Sequence, residues 1–108
     1  MVRALGNPVR YSSGMHDWTT RSAAAEFDLH GQSVLEAAAN AERFLLAQAR
    51  VRRGSVVRII TGRGRGGGGA PIRTRVRTLL RRLREEGAVV RDYVLEASEG
   101  SFLVRLAD

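Results

Sequence analysis

Cysteine and lysine are both missing from the 108 residues. Without cysteine there are no disulfides and no thiolate metal sites. Without lysine there is no Walker-type G-x-x-x-x-G-K-[ST] loop, which excludes nucleotide hydrolysis of that kind. Aromatic side chains make up only 6% of the chain, so stacking platforms for bases are scarce. No apolar run approaches the roughly 20 residues that a membrane span needs. The stretch "MVRALGNPVRYSSGMHDW" lacks the uninterrupted apolar segment of a secretory signal. A cytoplasmic protein with no membrane role is expected.

What is abundant is arginine. It supplies all 18 basic residues, against 11 acidic ones, for a net charge of +7. A genome rich in G and C favours arginine, alanine and glycine codons and would explain the missing lysine. It does not explain the excess of base over acid. That excess points to a polyanionic partner; a merely solvated basic surface is the other reading. The length suits one domain that can bury roughly two thirds of its unfolded surface, so a core is feasible without staples.

Residues 1 to 24 mix Gly, Pro, Ser and Thr with a single Trp18 and show no clear period. They read as a tail, ordered in part at most, and a lone His16 makes no metal site. Order is expected from residue 25 to 108. In "AEFDLHG", Phe27 and Leu29 alternate with Glu26, Asp28 and His30, the period of a half-buried strand ended by Gly31. Ser33 with Glu36 three residues on makes a capping box. Val34, Ala37, Ala38, Ala41, Phe44 and Leu45 then recur at helical spacing, which predicts a helix over 33–52. "SVVRII", 55–60, reads as an interior strand. Pro71 suits the first turn of a second helix, whose apolar face is Ile72, Val76, Leu79, Leu80 and Leu83 and whose stop is Gly87. "AVVRDYVLEA" and "SFLVRLA" read as two strands joined at Ser98-Glu99-Gly100. The order β-α-β-α-β-β implies crossovers and at least partly parallel pairing.

Two segments carry candidate chemistry. Between Thr61 and Ala70 there are six glycines, interrupted by Arg63 and Arg65. Glycines cost backbone entropy and need a reason. One is close approach of main-chain N–H groups to an anion, at a loop that leads into a helix N-terminus. Arg63, Arg65 and Arg73 could grip phosphate with paired hydrogen bonds. A surface connection without a ligand is the alternative. Gly62, Gly64 and Gly67 also satisfy G-x-G-x-x-G, but a run this rich in glycine matches it cheaply, and the chain has no room for a full dinucleotide fold. The second segment is Asp28-Leu29-His30-Gly31. In a strand Asp28 and His30 point to the same side, about 6.5–7 Å apart along the backbone. A carboxylate beside an imidazole makes an oriented proton-transfer group. Taken alone, the pair reads more readily as a polar strand end.

Together the two segments resemble the Smr (small MutS-related) domain family. Its marks are an L-D-L-H-G segment at the first strand and a [T/H]-G-x-G loop after the second, leading to a helix. Here they stand as Phe27-Asp28-Leu29-His30-Gly31 and Thr61-Gly62-Arg63-Gly64. The resemblance covers about residues 26 to 106. It implies an α/β fold, a two-layer sandwich with a mixed four-stranded sheet, similar to the C-terminal domain of bacterial translation initiation factor three. It also implies nucleic-acid binding and, in several members, endonuclease activity on DNA or RNA, metal-assisted or metal-independent. Carried over by position, Asp28 and His30 become the catalytic candidates. Thr61, Gly62, Arg63, Gly64, Arg65, Gly66 and Arg73 become the phosphate-binding ones, with Ile72-Arg73 matching the family's leucine-arginine. Thr61 stands where many members have histidine, so the burden of proton transfer shifts to His30. RNA cleavage through the 2′-hydroxyl needs no cofactor; DNA cleavage would call on water and Mg²⁺.

In that reading Arg43, Arg50, Arg52 and Arg53 of the first helix could extend the track, while Arg75, Arg77, Arg81, Arg82 and Arg84 form a largely solvated helix face. A non-catalytic module that binds nucleic-acid structure, and a domain that meets an acidic protein, are the other two classes the sequence allows.

Overall fold

The computed structural model describes residues 2–5, 17–63 and 69–108. Its elements in chain order are β1 (Val2–Ala4), a 3₁₀ turn (Trp18–Thr20), β2 (Ala25–Asp28), α1 (Val34–Val51), β3 (Val56–Ile60), α2 (Gly69–Glu86), β4 (Val90–Leu95) and β5 (Ser101–Leu106). The strands form one mixed sheet in the order β1-β2-β3-β5-β4. Only β2 and β3 pair in parallel; the remaining pairs are antiparallel. The architecture is the expected α/β sandwich, with five strands where four were expected. The extra strand is β1. All three of its residues are exposed, so it carries no apolar alternation that the sequence could reveal.

Both helices cover one face of the sheet. Ala37, Ala41, Phe44 and Leu45 of α1 meet Ile72, Val76, Leu79, Leu80 and Leu83 of α2 over Leu29, Val57, Ile59, Phe102, Val104 and Leu106. Each fully buried Leu, Ile or Phe here contributes about 1.5–3 kcal/mol relative to exposure. The alternate strand residues face the other way, where Val56 and Leu103 pack under Trp18. The 3₁₀ turn that carries Trp18 is capped by Asp17, which accepts from the Thr19 N–H at 2.9 Å. Arg21 pins it by donating to the Gly54 carbonyl at 3.1 Å. Strand β3 is central, between β2 and β5, as its nearly continuous apolar run requires. No helix among the described residues is long and apolar enough to cross a membrane.

The crossover matters most for the site. A parallel pair needs a long return connection, and α1 supplies it. The capping box is present: Ser33 Oγ accepts from the Glu36 N–H at 3.2 Å and Glu36 Oε1 accepts from the Ser33 N–H at 3.1 Å. The chain runs down α1, turns at Gly54 with φ +74, and climbs β3. Strands β2 and β3 therefore end at the same rim, with Asp28 opposite Ile60.

Candidate nucleic-acid interface

Strand β2 stops at Asp28, so His30 lies in the turn that follows and not in the strand. The departure from a strand geometry is local chemistry. The Asp28 carboxylate accepts from the backbone N–H two residues on, that of His30, at 3.0 Å, an Asx turn that ends the extended run. Gly31 completes the reversal at φ +83, a conformation that costs glycine nothing. The imidazole folds back as well: Nδ1 of His30 lies 2.8 Å from Oδ1 of Asp28. Between them, Leu29 is wholly buried, and its N–H donates to the Ile60 carbonyl at 2.7 Å. The pair is thus displayed to solvent by a residue locked in the core.

Burial pushes the Asp28 carboxyl up, but the hydrogen bonds from the His30 backbone and ring, with the charge of that ring, outweigh it and hold the group below its ordinary value. An ionised carboxylate only accepts, so Nδ1 must carry the proton between them. Nε2 is left facing outward, from a side chain that is 73% exposed.

The loop begins one strand away. Thr61 is wholly buried, and its single hydroxyl proton is shared between the carbonyls of Gly62 at 3.3 Å and Gly100 at 3.4 Å. The backbone N–H groups of Thr61 and Gly62 both donate to Gly100 O, at 2.8 and 3.0 Å. Both amides expected to face phosphate are thus engaged within the chain. They anchor the loop to the turn between β4 and β5. Gly62 takes φ +87 there. Arg63 emerges next and is exposed. Gly64, Arg65 and Gly66 lie outside the described residues. Arg73, in the first turns of α2, donates through Nη1 to the carbonyls of Glu99 at 3.1 Å and Arg63 at 3.3 Å. One guanidinium thereby joins helix, loop and hairpin turn. Arg63 also lines an open depression of about 280 Å³ with Ala97, Ser98 and Glu99.

That turn is the part of the site the sequence did not reveal. It is held from beneath by Glu96, whose Oε1 accepts from Nε of Arg58 at 2.8 Å and from Oγ of Ser101 at 2.5 Å. Glu26, buried beside Arg58, accepts from it at 3.4 Å and pairs with Arg3 of β1 as well. Gly100 and Glu99 act through backbone carbonyls, which any residue type carries, so no side-chain signature marks them.

The rim collects three features around the end of β3. The Asp28–His30 pair stands on the β2 side. Arg63 and Arg73 stand on the β5 side, two strand spacings or about 10 Å across. The N-terminal end of α2, with its partial positive charge, lies at the same rim, where Arg73 reaches Arg63 and Glu99. Arg50, Arg52 and Arg53 do not join it. Strand β3 starts at Val56 and rises to the rim at Ile60, whereas Arg50, Arg52 and Arg53 precede it, at the end where Gly54 bonds Ala107. Among the described residues no three His, Asp or Glu side chains group as metal ligands. Mg²⁺ would find Asp28, with Oδ1 already engaged by His30.

Fold and rim together define a small α/β domain with a cationic, histidine-bearing edge at the ends of a parallel strand pair. The chain matches the model of the Smr domain over residues 27–107. It belongs to the Smr family, which is associated with nucleic-acid binding and nuclease activity. No curated protein matches the sequence.

Proposed function

We propose that the domain binds the sugar-phosphate backbone of DNA or RNA at this rim, with little sequence preference, and cleaves it there as an endonuclease. The observation that carries the reading is the 2.8 Å contact between Asp28 and His30 on the rim shared with Arg63, Arg73 and the start of α2. A phosphodiester laid across the end of β3 meets cations on one side and an outward imidazole nitrogen on the other.

On RNA the chemistry needs only these groups. Nε2 of His30 takes the proton of a 2′-hydroxyl, whose oxygen attacks the adjacent phosphorus. The P–O5′ bond breaks as a 2′,3′-cyclic phosphate forms, and the departing 5′-oxygen is protonated by water or by the imidazolium. Asp28 fixes the ring and stabilises its positive form. Arg63 and Arg73 offset the charge that builds on the phosphoryl oxygens.

The test is incubation of pure protein with labelled structured RNA and supercoiled plasmid, with and without Mg²⁺, beside His30→Ala. Cleavage lost in the variant with binding retained supports an enzyme. Binding without cleavage by the unaltered protein supports a module that recognises nucleic-acid structure. One observation favours that second reading: His30 is the only imidazole among the described residues, so none of them offers a second histidine to protonate the leaving oxygen. Absence of binding to branched DNA, single strands and structured RNA at low salt would favour an acidic protein partner.

A further inference from the structure

Arg73, Arg77, Arg81 and Arg84 follow one another along α2 at i, i+4, i+8 and i+11. At 3.6 residues per turn they fall within about 80° of the helix circumference and span about 17 Å. We propose that this stripe is a second, extended contact for the polynucleotide, carrying one strand of backbone away from the rim along the edge made by α2 and β4. The inference rests on the nucleic-acid reading of the rim and deepens it.

The stripe is fixed in place at three of its four positions. Arg73 is tied to the carbonyls of Arg63 and Glu99. The guanidinium of Arg77 lies 6.0 Å from the ring centre of Phe102 in β5. That of Arg84 lies 4.7 Å from the ring centre of Tyr93 in β4, and Asp92 accepts from it at 3.3 Å. Each guanidinium has five N–H donors, more than these contacts use, which leaves donors for phosphate. Arg81 is exposed and has no partner among the described residues. Arg82, off the stripe, is engaged by Glu42 and Glu86.

Helix stability does not explain the pattern. The macrodipole favours acids in the first turn and bases in the last. Helix α2 has no acid in its first turn; its six arginines divide evenly, with Arg73, Arg75 and Arg77 in the first half and Arg81, Arg82 and Arg84 in the second, and its only acids, Glu85 and Glu86, close it. The first half thus carries three cations and no acid toward the helix's positive end, which suits an external anion. The stripe also starts at the rim, so a strand seated there is led onto it. At about 3.4 Å per phosphate of one stacked strand, 17 Å corresponds to about five nucleotides.

The experiment is fluorescence anisotropy with labelled single-stranded RNA and DNA of 4 and 12 nucleotides, over a salt series. The proteins are the unaltered chain, Arg81→Gln alone, Arg77→Gln with Arg81→Gln, and a far-end control, Arg50→Gln with Arg53→Gln. Each stripe arginine removed should flatten the slope of log K against log salt by about 0.7 for the 12-mer. The 4-mer and the far-end control should change little. A 12-mer slope unchanged in both stripe variants, or an equal loss in the far-end control, overturns the track while leaving the rim reading intact. No binding of either length by the unaltered protein overturns the rim reading and the track with it.

Discussion

Arg58 and Glu96 lie 38 residues apart in the chain and meet at 2.8 Å beneath the hairpin turn that holds the glycine loop. The pair turns a stretch of sheet surface into a support for the site. Burial pushes the Glu96 carboxyl up, but the hydrogen bonds from Arg58 and Ser101 outweigh it and keep the group below the ordinary value of 4.5. A carboxyl lowered in the folded state stabilises the fold above its ordinary value, and that contribution is lost as pH falls through the lower, folded one. Melting temperature should therefore be level near neutrality and decline below about pH 4.5. In Glu96→Gln the neutral-pH value should be lower and the acid decline shallower. An equally steep decline in the variant would remove this role from Glu96.

Asp28→Asn separates geometry from charge. The amide oxygen can still accept from the His30 N–H and preserve the turn, but it no longer stabilises a protonated ring. Thermal stability should stay close to that of the parent. The rate of RNA cleavage should fall by about 10²–10⁴, the range for a positioned proton-transfer group. Single-turnover rates alongside melting curves would separate the two effects.

Gly62 sits at φ +87, where a side chain costs about 1–2 kcal/mol. Gly62→Ala should lose that much stability in a urea titration. It should also weaken nucleic-acid binding, because relaxing the strained φ would draw the N–H of residue 62 away from Gly100, to which it moors the loop. Stability lost with affinity unchanged would mean that the mooring does not position the loop for its ligand.

Ser33→Ala removes one half of the capping box at the start of α1 and should cost about 1 kcal/mol. Since that helix end faces the rim but carries Glu36, whose charge opposes an incoming phosphate, binding should not weaken with it. Denaturant midpoints and anisotropy on the same samples give both readings.

Much of this molecule is legible along its sequence because the determinants are local. The stripe Ile72, Val76, Leu79, Leu80 and Leu83 is buried throughout, and Ser33 and Glu36 form the box their spacing announces. The grouping of the candidate residues was readable in outline, since Asp28, His30, Arg63 and Arg73 stand around the end of β3. What escaped is non-local or carried by the backbone. The bonds from Thr61 and Gly62 to Gly100 O connect residues nearly forty apart. The three exposed residues of β1 announce no face. His30 left the strand because the Asp28 side chain competes with the sheet for its N–H. The arginines of α2 read singly as solvated charge; only the flanking Phe102, Tyr93 and Glu99 reveal that they line one side.

Since Gly100 belongs to the closing hairpin, the first strand pair and its crossover helix supply only the Asp28–His30 side of the rim. A chain still emerging during synthesis, with β5 not yet delivered, has the histidine but lacks the clamp on its loop. Under the proposed function, such an order of assembly would withhold cleavage until the fold closes.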